Sequence, residues 1–151
     1  MTDCHTCELV KRRDSGDAPL WDSITRTPYW DVAHAFDTAL LGWIVLVARR
    51  HIAAVDEMTE DEAIEMGKLV RRISAALKAE TGCLKTYVVQ FAEASGHQHV
   101  HFHIIPRMPD QPAEVKGTRI FKYLGVPEAE RVSETAMNEL ALEIRRRLAE
   151  T

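Results

Sequence analysis

The sequence predicts an α+β fold: a mostly antiparallel sheet with one central helix and a C-terminal helix. Three observations carry this. Short runs rich in β-branched and aromatic residues recur at Gly42–Ala48 and Thr86–Phe91. Two longer stretches instead repeat apolar residues at helical spacing. The order is strands, helix, two strands, helix, without the regular alternation of a parallel α/β sheet.

In chain order, residues 1–28 hold Cys4-His5-Thr6-Cys7 and then a polar, turn-rich segment from Glu8 to Pro28. That segment reads as irregular surface with a short strand or two. Trp30 to Phe36 reads as a strand. Gly42 to Ala48 reads as a strand buried on both faces, because it is almost wholly apolar. Thr59-Glu60-Asp61-Glu62 matches a capping box, in which Thr59 and Glu62 each satisfy an orphan backbone donor. Met66, Leu69, Val70, Ile73, Ala76 and Leu77 then form one helical stripe, and Gly82 stands where a left-handed cap belongs. Thr86 to Phe91 and His97 to Ile105 read as two more strands, with Pro106 ending the second. Residues 107–119, with Pro109, Pro112 and Gly117, read as a loop. The helix expected over 128–149 has the stripe Val132, Ala136, Leu140, Ile144 and Leu148.

The 151 residues suit a single domain, 1–151, with 46% hydrophobic and 28% charged residues. The longest apolar run, Ala39 to Ala48, is half the ~20 residues of a membrane span, so no membrane partner is expected. No basic stretch followed by an apolar core opens the chain, and the expected compartment is the cytoplasm. A net charge of −4 and a pI near 6.0 argue against a nucleic-acid polymer as partner and leave a small anionic ligand open. Lys11-Arg12-Arg13, Arg49-Arg50 and Arg145-Arg146-Arg147 read as solvated surface. Three cysteines do not make a disulfide framework, and Cys83 reads as a small buried residue. His34 has no special role assigned.

The informative stretch is Gly96-His97-Gln98-His99-Val100-His101-Phe102-His103-Ile104-Ile105-Pro106. On a strand, alternate side chains share a face, so four of the seven histidines line one side and Val100, Phe102 and Ile104 the other. Four imidazoles in register are hard to explain as packing, since protonated neighbours repel and neutral ones compete for few partners. Two chemistries suit such a row. A neutral ring nitrogen can ligate a metal, or it can attack phosphorus and form a phosphoramidate.

His99-Val100-His101-Phe102-His103-Ile104-Ile105 resembles the His-φ-His-φ-His-φ-φ signature of the histidine triad (HIT) family, φ being apolar. Pro106-Arg107 and the strand from Gly42 to Val47 followed by Arg49-Arg50-His51 are also similar to that family. The resemblance spans roughly Cys4 to Arg107 and implies a HIT-like fold. It implies that His101 is the nucleophile of a nucleotidyl-histidine intermediate and that His103 stabilises charge on the phosphate. Gln90 resembles the amide that the family points at the ribose-phosphate. The loop before the triad looks shorter than usual, and Ser95 and His97 stand in for its phosphate contacts; Asp37 is given no role. The resemblance further implies a homodimer formed through the helix and strand between Glu60 and Phe91.

The Cys4/Cys7 pair is half of a metal site or a pair of thiols. The zinc-bearing branch of the family looks similar here, which implies one structural zinc per chain on Cys4, Cys7, His51 and His99. His5 is an alternative ligand. The implied function is nucleotide hydrolysis or nucleotidyl transfer at an α-phosphorus, on a nucleoside phosphoramidate or dinucleoside polyphosphate. The alternatives are phosphorylase- or uridylyltransferase-type transfer through the same histidine, and a nucleotide-binding module with little catalysis.

Overall fold

A computed structural model describes residues 3–150. Helix α1 (His5–Asp14) leads through a short 3-10 turn (Leu20–Asp22) into strands β1 (Thr25–Arg26), β2 (Trp30–His34) and β3 (Ile44–Ala48). Helix α2 (Glu60–Thr81), strands β4 (Lys85–Val89) and β5 (His101–Arg107), and helix α3 (Glu134–Ala149) follow. The sheet is five-stranded in the order β1-β2-β3-β5-β4, with every neighbouring pair antiparallel. The α+β class expected from the sequence is the one observed.

The sheet has two unlike faces. Phe102 and Ile104 of β5 and Leu46 of β3 face α2 and α3, where they join Leu69, Ile73, Leu140 and Ile144 in the main core. Ile105, with Trp43, Ala35 and Ile120, belongs to a smaller cluster on the opposite side. That second face carries His101 and His103.

Helix α2 follows the sequence signals closely. Thr59 and Glu62 make the reciprocal capping box, and Gly82 closes the helix at φ 74°. Leu69, Ile73, Ala76 and Leu77 of the stripe are buried. Gly42 also has a structural reason: at φ 98°, an added Cβ would lie 3.2 Å from both Leu77 Cδ2 and Pro106 Cγ.

Several boundaries differ from expectation. The first third of the segment read as irregular after Cys7, residues 8–14, belongs to α1, capped by Cys4, whose sulfur accepts from the Cys7 amide at 3.3 Å. Its signals were Glu8 in the first turn and Lys11, Arg12 and Arg13 in the last, which complement the helix dipole. Arg13 is not solvated surface: its side chain is 2% exposed and pairs with Asp22 and Asp31. The early strand stops at His34, leaving Phe36 exposed. His34 has a structural role after all. Its Nδ1–H donates to Ala35 O at 2.7 Å, and its Nε2 accepts from Gly42 N–H at 2.9 Å.

Pro106 does not end its strand. Arg107 O accepts from Leu84 N–H on the β4 side, so the main-chain groups of Pro106 point the other way. On that side the ladder with β3 stops at Ile104, and proline's missing N–H costs nothing. The final helix begins at Glu134, capped by the Ser133 hydroxyl, because residues 128–130 form a separate 3-10 turn. Of its expected stripe, Leu140 and Ile144 are buried; Met137 and Ala141 complete the buried face. No helix among the described residues is long and apolar enough to cross a membrane.

Candidate active site and metal centre

The histidine row divides where β5 begins. His101 and His103 alternate on the strand as expected, on the face opposite Phe102 and Ile104. His97 and His99 lie before the strand. The His99 amide donates to His97 O at 2.8 Å, a tight i→i+2 turn that the alternation rule does not contain. This turn carries His99, fully buried, toward the N-terminal cysteines.

Cys4, Cys7, His51 and His99 converge, their donor atoms all within 4.8 Å of one another. Cys4 Sγ lies 3.6 Å and Cys7 Sγ 3.5 Å from His99 Nδ1. Cys7 Sγ is 3.2 Å from His51 Nδ1, and the two Nδ1 atoms are 3.1 Å apart. A zinc tetrahedron with Zn–S of about 2.3 Å and Zn–N of about 2.05 Å has S···N edges of about 3.6 Å and N···N edges of about 3.3 Å. The donor set therefore fits zinc. Four protein ligands close the site, which suits a structural ion rather than one that activates water. His99 Nε2–H donates to Ala48 O at 2.6 Å, leaving Nδ1 as the free donor atom. Burial and the neighbouring Cys4 push the Cys7 thiol up to about 11, so a cation is needed to hold it as thiolate at neutral pH. His5, the alternative ligand, contacts Glu8 instead and lies outside the cluster.

The other pair of histidines faces a cavity of about 790 Å³. His101 Nδ1 is 2.7 Å from His99 O. A carbonyl can only accept, so the ring proton sits on Nδ1 and Nε2 keeps its lone pair. Burial lowers the His101 pKa against the opposing pull of that hydrogen bond, which favours the neutral ring. His103, whose ring centroid is 5.0 Å away, is pushed down to about 3 by burial and then by His101. His97 lines the same cavity and its Nδ1 is 2.9 Å from Thr6 Oγ1. Burial, then His5 and His101, lower its pKa.

Gln90 and Ser95 are not among the residues lining the cavity. Gln90 follows β4, and its Oε1 is buried without a hydrogen-bond partner; Ser95 is exposed. Sequence reasoning missed the far wall, built by Thr6, Arg12, Trp21 and Asp22. It also missed Trp43, whose indole N–H donates to His103 Nδ1 at 2.9 Å. An apolar run gave no hint that one of its members holds a histidine.

Fold and site together define a protein class: an antiparallel sheet presenting alternate imidazoles to a ligand-sized cavity, beside a Cys2His2 cluster. The HIT domain family model matches residues 23–110, and the chain belongs to that family. Among solved structures it is similar to a Zn-bound histidine triad family protein from Mycobacterium smegmatis, with TM-score 0.65 and 17% identity, covering 97% of this chain and 94% of that one. A histidine triad protein from Bradyrhizobium japonicum aligns with TM-score 0.69 and 21% identity, over 89% of this chain and 93% of that one. A diadenosine triphosphate hydrolase from Plasmodium falciparum, in complex with Cyclomarin A, aligns with TM-score 0.62 and 17% identity, over 85% and 76%. No curated protein matches.

Proposed function

We propose that this protein is a nucleotide hydrolase or nucleotidyl transferase that works at an α-phosphorus through a covalent nucleotidyl-histidine on His101. The substrate class is a dinucleoside polyphosphate or nucleoside phosphoramidate. The observation that carries this reading is the 2.7 Å bond from His101 Nδ1–H to His99 O, which leaves the Nε2 lone pair beside the cavity. Family membership, and the hydrolase activity of the Plasmodium relative, support the same chemistry.

In the first step Nε2 forms a bond to the α-phosphorus. The bond from phosphorus to the leaving group breaks, and its electron pair leaves with that group, which then takes up a proton. Water next attacks the same phosphorus and gives up a proton to solvent, which replaces the one taken up by the leaving group; the P–N bond breaks, its pair returns to Nε2 and the mononucleotide is released. His103 donates a hydrogen bond to a non-bridging oxygen as charge develops. We assign ribose and phosphate contacts to Gln90, Ser95 and His97; Gln90 brings a buried, unpartnered Oε1. One zinc per chain on Cys4, Cys7, His51 and His99 would hold α1 against the turn preceding the triad.

We further assign a homodimer through α2 and β4. β4 is a sheet edge; Leu84 and Val88 at that edge are 53% and 46% exposed, and Ile64 on α2 is 53% exposed. The cytoplasm, where free thiols stay reduced, is the assigned compartment.

The test is a panel of adenosine and guanosine phosphoramidates and dinucleoside polyphosphates, read by mononucleotide release and by an acid-labile adduct trapped during turnover. Turnover with an adduct on His101 is expected. Binding of nucleotide without turnover of any member would overturn the enzymatic reading in favour of a binding module.

A further inference from the structure

Trp43 is fully buried beside the site, just before β3. Its indole nitrogen lies 2.9 Å from His103 Nδ1, with the two rings nearly perpendicular at 87°. An indole nitrogen donates and never accepts. His103 Nδ1 is therefore the acceptor, and the ring's proton is on Nε2. His101 holds the opposite tautomer, because its Nδ1 donates to a carbonyl. Two neighbours on one strand face are thus fixed in complementary forms, one with a free Nε2 lone pair and the other with an Nε2–H.

We propose that Trp43 is a positioning residue that fixes the tautomer of His103, so that His103 acts as a neutral Nε2–H donor to a phosphoryl oxygen. The catalytic half of this statement rests on the reading of His101 and His103 as the reacting pair. Trp43 also excludes the imidazolium form, since a proton on Nδ1 would set two N–H groups head to head. Among the described residues, Trp43 is the hydrogen-bond partner of the His103 ring. Val45 and Val89 are the residues paired with His103 on the flanking strands. Phe121 packs edge-on, 5.2 Å from His103 and 5.3 Å from Trp43 by ring centroid. His101 is a titratable neighbour, its ring centroid 5.0 Å away. The low His103 pKa, caused by burial, points the same way. A neutral donor stabilises charge without first acquiring a proton, so its contribution persists across the neutral pH range.

Long-range ¹H–¹⁵N correlation spectra of the full-length, substrate-free protein test the assignment directly. The wild type is expected to show His103 protonated at Nε2 and bare at Nδ1. Trp43→Phe keeps the aromatic packing but removes the donor. Its His103 is expected to populate the Nδ1–H form, and kcat to fall about tenfold while KM changes less than about twofold. Trp43→His, which restores a ring N–H, is expected to recover part of both signals. A wild-type His103 protonated at Nδ1 would overturn the proposal whether or not the variants fold. So would a Trp43→Phe protein with an unchanged tautomer and unchanged kcat. The spectra need no substrate, so failure of wild-type turnover would count against the proposed function while the tautomer is decided separately.

Discussion

His101 is oriented by the main chain of a metal-cluster residue: its Nδ1–H donates to the carbonyl oxygen of His99 at 2.7 Å. His99 is itself held by Ala48 O at 2.6 Å and points Nδ1 at the two cysteines. His99 thus serves both the cluster, through its ring, and His101, the proposed nucleophile, through its carbonyl. The nucleophile prediction follows at once. His101→Asn is expected to fold and keep the metal, because it removes no ligand and little volume. Turnover should fall at least ~10³-fold and the covalent adduct should vanish, as the covalent route is lost. Near-normal steady-state turnover by this variant would show that His101 is not the nucleophile.

Metal content is checked by elemental analysis of protein purified without chelator, where about one zinc per chain is expected. Cys7→Ser should lose the metal and lower Tm by about 10 °C or more, since four side chains drawn from both ends of the site are released together. Activity should fall with it, because His99 no longer anchors the carbonyl that orients His101. Full metal occupancy in Cys7→Ser would remove Cys7 from the ligand set.

Acid should destabilise the fold through its buried histidines. Burial lowers His34 from 6.5 to about 4 and His103 to about 3. In the unfolded chain both take up protons as pH drops through 6.5, while the folded forms stay neutral, so unfolding binds protons and stability falls. Above pH 6.5 neither contributes a slope. The His34 share down to pH 4 is on the order of 3 kcal/mol. Denaturant titrations across this range should show the loss, and His34→Gln should flatten it. A wild-type stability curve that is level from pH 7 to pH 4 would contradict both assignments.

The assembly prediction concerns the β4 edge. Light scattering at micromolar concentration should give twice the 17.1 kDa chain mass. Val88→Glu, which places a charge on an exposed edge position, should shift the protein to monomer without unfolding it. A wild-type monomer would refute the interface.

Much of this was legible in the sequence because local rules coincided with the tertiary answer. The Thr59–Glu62 box, the Leu69–Leu77 stripe and Gly82 define α2 without outside help. The alternation of His101 and His103 with Phe102 and Ile104 placed those two imidazoles on one face. Elsewhere tertiary context won. α1 has a weak apolar stripe and an unusual cysteine cap, so the charges at its two ends were its one local mark. Arg13 looked solvated because its partners, Asp22 and Asp31, are distant in sequence. The turn at His97–His99 broke the period-two rule, and Pro106 continued its strand because the facing ladder had already ended. Trp43 hid among apolar neighbours, where an indole's single donor leaves no pattern.

The two rings proposed to react are secured by different kinds of inheritance. His101 takes its tautomer from a peptide carbonyl, which every residue type supplies, so no single side-chain replacement at position 99 deletes that acceptor. His103 takes its tautomer from one indole, and a single codon can erase it. Drift in this lineage can therefore retune how charge is stabilised while the attacking atom stays as it is.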